Sequence, residues 1–167
     1  MEAKPIINRV DNSGLKLVDF SEITRNENIQ SLDLVDWLFK GLIVKEDLFK
    51  EHLENLKTED LQGASVFVFC SKPVIIPQWC YMLVARYLSP ICKNIVWGDI
   101  KDLKHTIVLS HINSNIGEYK DERVIVKGCG DDFYPNTYFQ VADILVKEVK
   151  SLMYGEACSA VPIFKRK

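Results

Sequence analysis

The chain has 167 residues, 47% hydrophobic and 26% charged, enough apolar material for one globular domain with a proper core. Its 21 Lys and Arg against 23 Asp and Glu leave a formal charge of −2, without the basic excess of a dedicated nucleic-acid binder. Five cysteines with no Cys-x-x-Cys spacing favour neither a secreted disulfide scaffold nor a zinc finger, and no stretch has the roughly 18 apolar residues of a membrane span.

Residues 1–14 lack the apolar run of a signal peptide, so a soluble, reducing, cytoplasmic setting is expected, where thiols stay free unless they bind metal or do redox work. Residues 1–62 read as an N-terminal β/α extension that covers or extends a sheet. Leu15 to Phe20 forms an added strand there, and Lys45 to Leu56 an amphipathic helix with Leu48, Phe49, His52 and Leu53 near one face. Val66 to Cys70 is a β-branched and aromatic run, a strand; Pro77 then introduces Gln78 to Ile91, apolar nearly all round, predicted as a helix buried on several sides. Asn94 to Trp97 makes a short strand closed by Gly98-Asp99, and Asp102 to Asn113 a connecting helix. A third strand over about 123–128 leads through Gly128-Cys129-Gly130-Asp131-Asp132 to a helix over 136–150. That helix sets Gln140, Asp143, Lys147, Glu148 and Lys150 against an apolar face of Phe139, Ala142, Leu145, Val146 and Val149. A fourth strand over 151–154 ends in Gly155-Glu156, and the tail Lys165-Arg166-Lys167 reads as solvated.

The same order of features, strand, Cys, loop, Pro, helix, strand, Gly, acid, occurs over 64–99 and again over 122–156. From Pro77 to Gly98 is 21 residues and from Pro135 to Gly155 is 20. Two repeated βαβ units predict an α/β fold, a three-layer, doubly wound, mostly parallel sheet with right-handed crossovers in a single domain spanning 1–167. If the third strand returns beside the first, the strand order is 2-1-3-4, with a ligand crevice where the chain reverses direction.

On DWLFKGLIVKEDLF at 36–49, FCSKPVIIPQWCYML at 69–83, VIVKGC at 124–129 and YGEACSAVPIFKRK at 154–167, the chain resembles an uncharacterised bacterial family, domain of unknown function 2480. The resemblance spans nearly the whole chain and brings no activity, substrate or catalytic residue with it. It implies a cytoplasmic accessory role alongside iron–sulfur cluster assembly, with a protein partner there.

The cysteines are the candidates for chemistry. Cys70 and Cys129 hold equivalent places in the repeat, and on neighbouring strands about 4.8 Å apart they would fall inside the roughly 4.4–6.8 Å Cα range of a disulfide. Cys158 follows the fourth strand by four residues and can join the same edge. Three such thiols can hold a soft metal or an iron–sulfur cluster, form a redox pair or relay sulfur; equally, each can be a small buried hydrophobe, as Cys80 and Cys92 are expected to be. Asp131 and Asp132 suit a divalent cation and repel phosphate, and neither a Walker pattern nor Gly-x-Gly-x-x-Gly is present. His52, His105 and His111 share no ligand spacing. Three functions stay open: an accessory or binding protein presenting thiols at a sheet edge, a small-molecule enzyme with Cys129 as nucleophile and Asp131 or Asp132 as acid or base, and an oligomerisation module using helix 78–91 between copies.

Overall fold

Parallel strands joined by helices make up the computed structural model, which describes residues 14–127, 132–156 and 159–167. The chain divides into two compact units, unit 1 from Met1–Ile23 with Val108–Lys167 and unit 2 from Thr24–Ile107, each with its own sheet and core. In chain order the elements are β1 (Leu15–Asp19), α1 (Phe20–Arg25), β2 (Ile29–Asp33), α2 (Glu46–Glu54), β3 (Ser65–Phe69), α3 (Gln78–Leu88), β4 (Asn94–Trp97), α4 (Ile100–Ser114), α5 (Ile116–Tyr119), β5 (Arg123–Lys127), α6 (Pro135–Glu148), β6 (Ser151–Tyr154) and β7 (Val161–Lys165). Among the described residues, no helix is long and apolar enough to cross a membrane.

Unit 2 is a parallel sheet in the order β2-β3-β4, with α3 as the crossover from β3 to β4. Unit 1 repeats the plan as β1-β5-β6, with α6 as the crossover, and adds β7 antiparallel on the far side of β6. The registers correspond: Ile29, Ser65 and Asn94 stand side by side in unit 2 as Leu15, Arg123 and Ser151 do in unit 1. The strand ends correspond too, the Gly98 amide donating to the Val68 carbonyl and the Gly155 amide to that of Val126. At φ of +146° and +118° both positions use a backbone conformation that side chains rarely adopt.

The crossover helices bury matching stripes at every fourth residue, Cys80, Val84 and Leu88 on α3 and Thr137, Val141 and Leu145 on α6. Leu88 and Leu145 are fully buried, worth about 1.5–3 kcal/mol each in apolar transfer. The amide of Cys80 bonds back to the carbonyl of Pro77, and that of Thr137 to Tyr134. Tyr134 thus corresponds to Pro77, and Pro135 enters the helix one place later, where its missing amide hydrogen costs nothing.

The α/β class and the mostly parallel strands agree with expectation, and the strand order does not. The four strands expected in one sheet as 2-1-3-4 are β3, β4, β5 and β6, and they fall in two sheets. Each βαβ unit receives its first strand from upstream, β2 beside β3 and β1 beside β5, so both middle strands already have two neighbours and cannot pair with each other. β1 matches the strand expected at Leu15. By contrast β2 carries Gln30, Ser31 and Asp33 and gives little hydrophobic signal, while β7 carries Pro162, which argues against a strand but is tolerated at an edge where the register shifts opposite Leu152 and Met153. Helix α3 is not buried on several sides, and Phe139 does not belong to the buried face of α6. Met82 and Phe139, at corresponding positions, are each 74% exposed, because a helix lying on one sheet covers a single stripe. On α2, Phe49 and Leu53 are buried as expected, Phe49 edge-on to Trp37 and Trp79, whereas His52 is exposed and stacked on Trp37.

Candidate functional site

Parallel sheets gather chemistry at the carboxyl ends of their strands, where loops leave the ladder. In unit 1, Asp19 closes β1 opposite Lys127, the last residue of β5, and the two side chains pair at 3.2 Å with Asp19 only 10% exposed. The Asp19 carboxylate also accepts the amides of Ser21 at 2.9 Å and Glu22 at 3.3 Å. Burial acts to raise its pKa, but Lys127 and the two amides outweigh burial and hold the carboxyl below the usual range. Unit 2 has Asp33 in the corresponding place, opposite Phe69, where one oxygen accepts the amides of Val35 and Ser71, each at 3.0 Å. Burial again acts upward, and Ser71 and Val35 again win, so Asp33 too lies below the usual range. One carboxylate therefore ties the loop after β3 to β2, and the other balances a lysine at the end of β5.

The candidate thiols divide along the same line. Cys70 is the first residue past β3, half-buried and packed against the unit 2 core. Cys129, Cys158 and Asp131 lie outside the described residues. The expected meeting of Cys70 with Cys129 required β3 and β5 to be neighbours, which they are not. Counted from the strand registers, Cys70 corresponds to residue 128, so the two cysteines are not equivalent positions either. In contrast, β5 and β6 are neighbours, with Val126 beside Tyr154, so the segments carrying Cys129 and Cys158 depart from adjacent strand ends. Asp132 is exposed in the turn before α6. Cys80 is fully buried, and burial pushes its thiol up to about 11; half-buried Cys92 is also pushed up by burial, so both stay protonated at neutral pH. Among the described residues, no three His, Cys, Asp or Glu side chains are gathered as a metal site.

A second feature is larger in unit 2 than in unit 1. Beneath β4, between the sheet and α3, lies a cavity of about 330 Å³ lined by Leu34, Val68, Tyr81, Val84, Ala85, Leu88 and the β4 residues Ile95, Val96 and Trp97. Tyr81 meets Trp97 edge-on at 4.6 Å between ring centres. Its counterpart in unit 1 is a smaller cavity of about 250 Å³, where Tyr138 meets Tyr154 edge-on at 5.9 Å and Ile163 of β7 supplies a further wall. The unit 2 cavity has no acid, base or nucleophile in its lining, so it offers apolar contact rather than chemistry.

Sequence reasoning missed Asp19 and Asp33, although the chain carries a signal for them. Leu17-Val18-Asp19-Phe20 and Ser31-Leu32-Asp33-Leu34 repeat a pattern of two residues leading to Asp and then a core residue, Phe20 and Leu34 being buried alike. The repeat therefore begins a strand earlier than the βαβ units, in residues that read as an extension. No curated protein and no solved structure matches the chain. A model of one family, described as protein of unknown function (DUF2480), matches residues 4–166, and the chain belongs to that family.

Proposed function

We propose that the protein is a cytoplasmic accessory protein whose working end is the carboxyl end of the unit 1 sheet. There Cys129 and Cys158, with Asp131 and Asp132 beside Cys129 in sequence, handle a soft metal, sulfur or an iron–sulfur cluster for a protein partner. The observation that supports this reading is the pairing of β5 with β6, since the two cysteine-bearing segments leave from neighbouring strand ends. The divergence of the two carboxylates adds to it. Asp33 fastens the loop that begins with Cys70, which takes no part here, whereas Asp19 faces a lysine two residues before Cys129.

The test is purification of the full chain without chelator, followed by iron and zinc analysis and alkylation mapping by mass spectrometry. Bound metal that is lost in Cys129→Ser and in Cys158→Ser but kept in Cys70→Ser and Cys80→Ser is the expected result. Metal-free protein in which both Cys129 and Cys158 resist alkylation until unfolding would overturn the reading.

A further inference from the structure

Among the described residues the outer edge of β4 is unpaired, and unit 1 shows what covers the corresponding edge. There β7 pairs antiparallel with β6, setting Phe164 opposite Leu152 and Val161 opposite Tyr154. Phe164 packs against the unit 1 core, and Leu152 beneath it is 2% exposed. In unit 2 the position of Leu152 is held by Ile95, which remains half-buried, and among the described residues β4 pairs with β3 alone. The core below is also less filled, because Leu34 stands where unit 1 has the larger Phe20 and, among the described residues, none takes the role of Phe164. The cavity under β4, about 330 Å³ against about 250 Å³ for its unit 1 counterpart, is correspondingly the larger. An open strand edge above an apolar cavity is a template for another strand.

From this we infer that a second copy of the chain covers the edge, β4 pairing antiparallel with β4 about a two-fold axis normal to the sheet. Such an axis keeps like faces together, so a residue can stand opposite itself or opposite one an even number of places away. The register centred on Val96 sets Ile95 opposite Trp97 of the second copy, on the face that looks into the cavity. The aromatic side chain that β7 brings to Leu152 is then supplied to Ile95 by β4 itself. The same register directs exposed Lys93, which also pairs with Glu27 of its own chain at 2.6 Å, toward exposed Asp99 of the other copy, whose carboxylate also accepts the amides of Lys101 and Asp102, so unlike rather than like charges face each other at both ends of the seam. The two sheets join as β2-β3-β4-β4-β3-β2, and neither β4 edge is left open. A partner strand from another protein would also satisfy the backbone, but nothing in the lining selects one, whereas β4 carries the aromatic residue, the β-branched centre and the paired charges on its own edge.

The experiment combines sedimentation of the full chain over a range of concentrations with mild oxidation of Val96→Cys. Antiparallel neighbours lie about 4.5–5.5 Å apart at Cα, within the disulfide range of roughly 4.4–6.8 Å. A concentration-dependent dimer and a 96–96 disulfide peptide in the mass spectrum are expected, with no such crosslink from Ile75→Cys, which is 93% exposed but lies off the seam. Trp97→Ala is expected to weaken association by roughly thirtyfold, a hot-spot loss, while far-ultraviolet circular dichroism stays unchanged. A monomer at all concentrations overturns the inference, as does a dimer in which Val96→Cys forms no 96–96 crosslink. If Trp97→Ala fails to fold, the Val96→Cys result decides alone.

Discussion

Units 1 and 2 start from one plan, a strand ending in Asp, then a βαβ crossover ending in Gly and an acid, and they finish it at opposite places. Unit 1 covers β6 with β7 and Phe164, β7 becoming the outer strand. Among the described residues unit 2 leaves β4 with β3 as its one neighbour, and its Asp33 holds the loop after β3 where Asp19 of unit 1 pairs with Lys127. The difference shows how two copies of one βαβ plan diverge at the corresponding strand, β6 having two neighbours where β4, among the described residues, has one.

The sharpest way to break this comparison is to truncate the two residues at the contrasted edge. Leu152→Ala removes a residue covered on both sides and should destabilise the full chain by about 2–5 kcal/mol, whereas Ile95→Ala, half-buried already, should cost about 1–2 kcal/mol. Urea denaturation at a low, fixed protein concentration measures both, and equal losses would mean that β7 does not distinguish the edges. Next in size are the two strand-end glycines. Gly98→Ala and Gly155→Ala each strain a positive-φ position, worth about 1–3 kcal/mol. At Gly98 the added Cβ also collides with the Asp102 carboxylate, which accepts the Asp99 amide at 2.9 Å, while at Gly155 its nearest neighbours are the Ser159 carbonyl oxygen at 3.4 Å and the Ala160 Cα at 3.6 Å, ordinary contacts. Gly98→Ala should therefore show the larger fall in Tm.

The smallest effect concerns the paired carboxylates and depends on pH. Both Asp19 and Asp33 have folded pKa values below their unfolded ones, so the stability they contribute is complete above the unfolded value of about 4 and is lost as pH falls through the folded values. Asp19→Asn should flatten that acid limb and cost about 1 kcal/mol or less at pH 7, because Lys127 is partly exposed to solvent. Asp33→Asn, which keeps an oxygen able to accept both amides and loses no cation, should flatten it less. Stability curves over pH 2–7 compare them, and identical curves would remove the distinction between the two strand ends.

The sequence alone determined the local elements of the second half and their repetition. Proline at the helix starts, glycine after the strands and β-branched runs between them act over a few residues and need no distant partner, so β4 and β6 were legible to the residue, α6 within two and α3 within three. Cys80 was legible as core for the same reason, its helix being rich in apolar neighbours, while Cys92, past the helix end, is half-buried against that core. Tertiary structure alone decided which strands are neighbours. β2 is mostly polar, with Gln30, Ser31 and Asp33 among its five residues, and β7 contains Pro162, so neither shows its place until β3 and β6 present edges to receive them. That pairing put β3 and β5 in different sheets, set the segments of Cys129 and Cys158 departing from adjacent strands, and left β4, among the described residues, with a single neighbour above a cavity. Strand order depends on hydrogen bonds between residues as far apart in the chain as Leu15 and Arg123, and no periodicity within either segment encodes its partner.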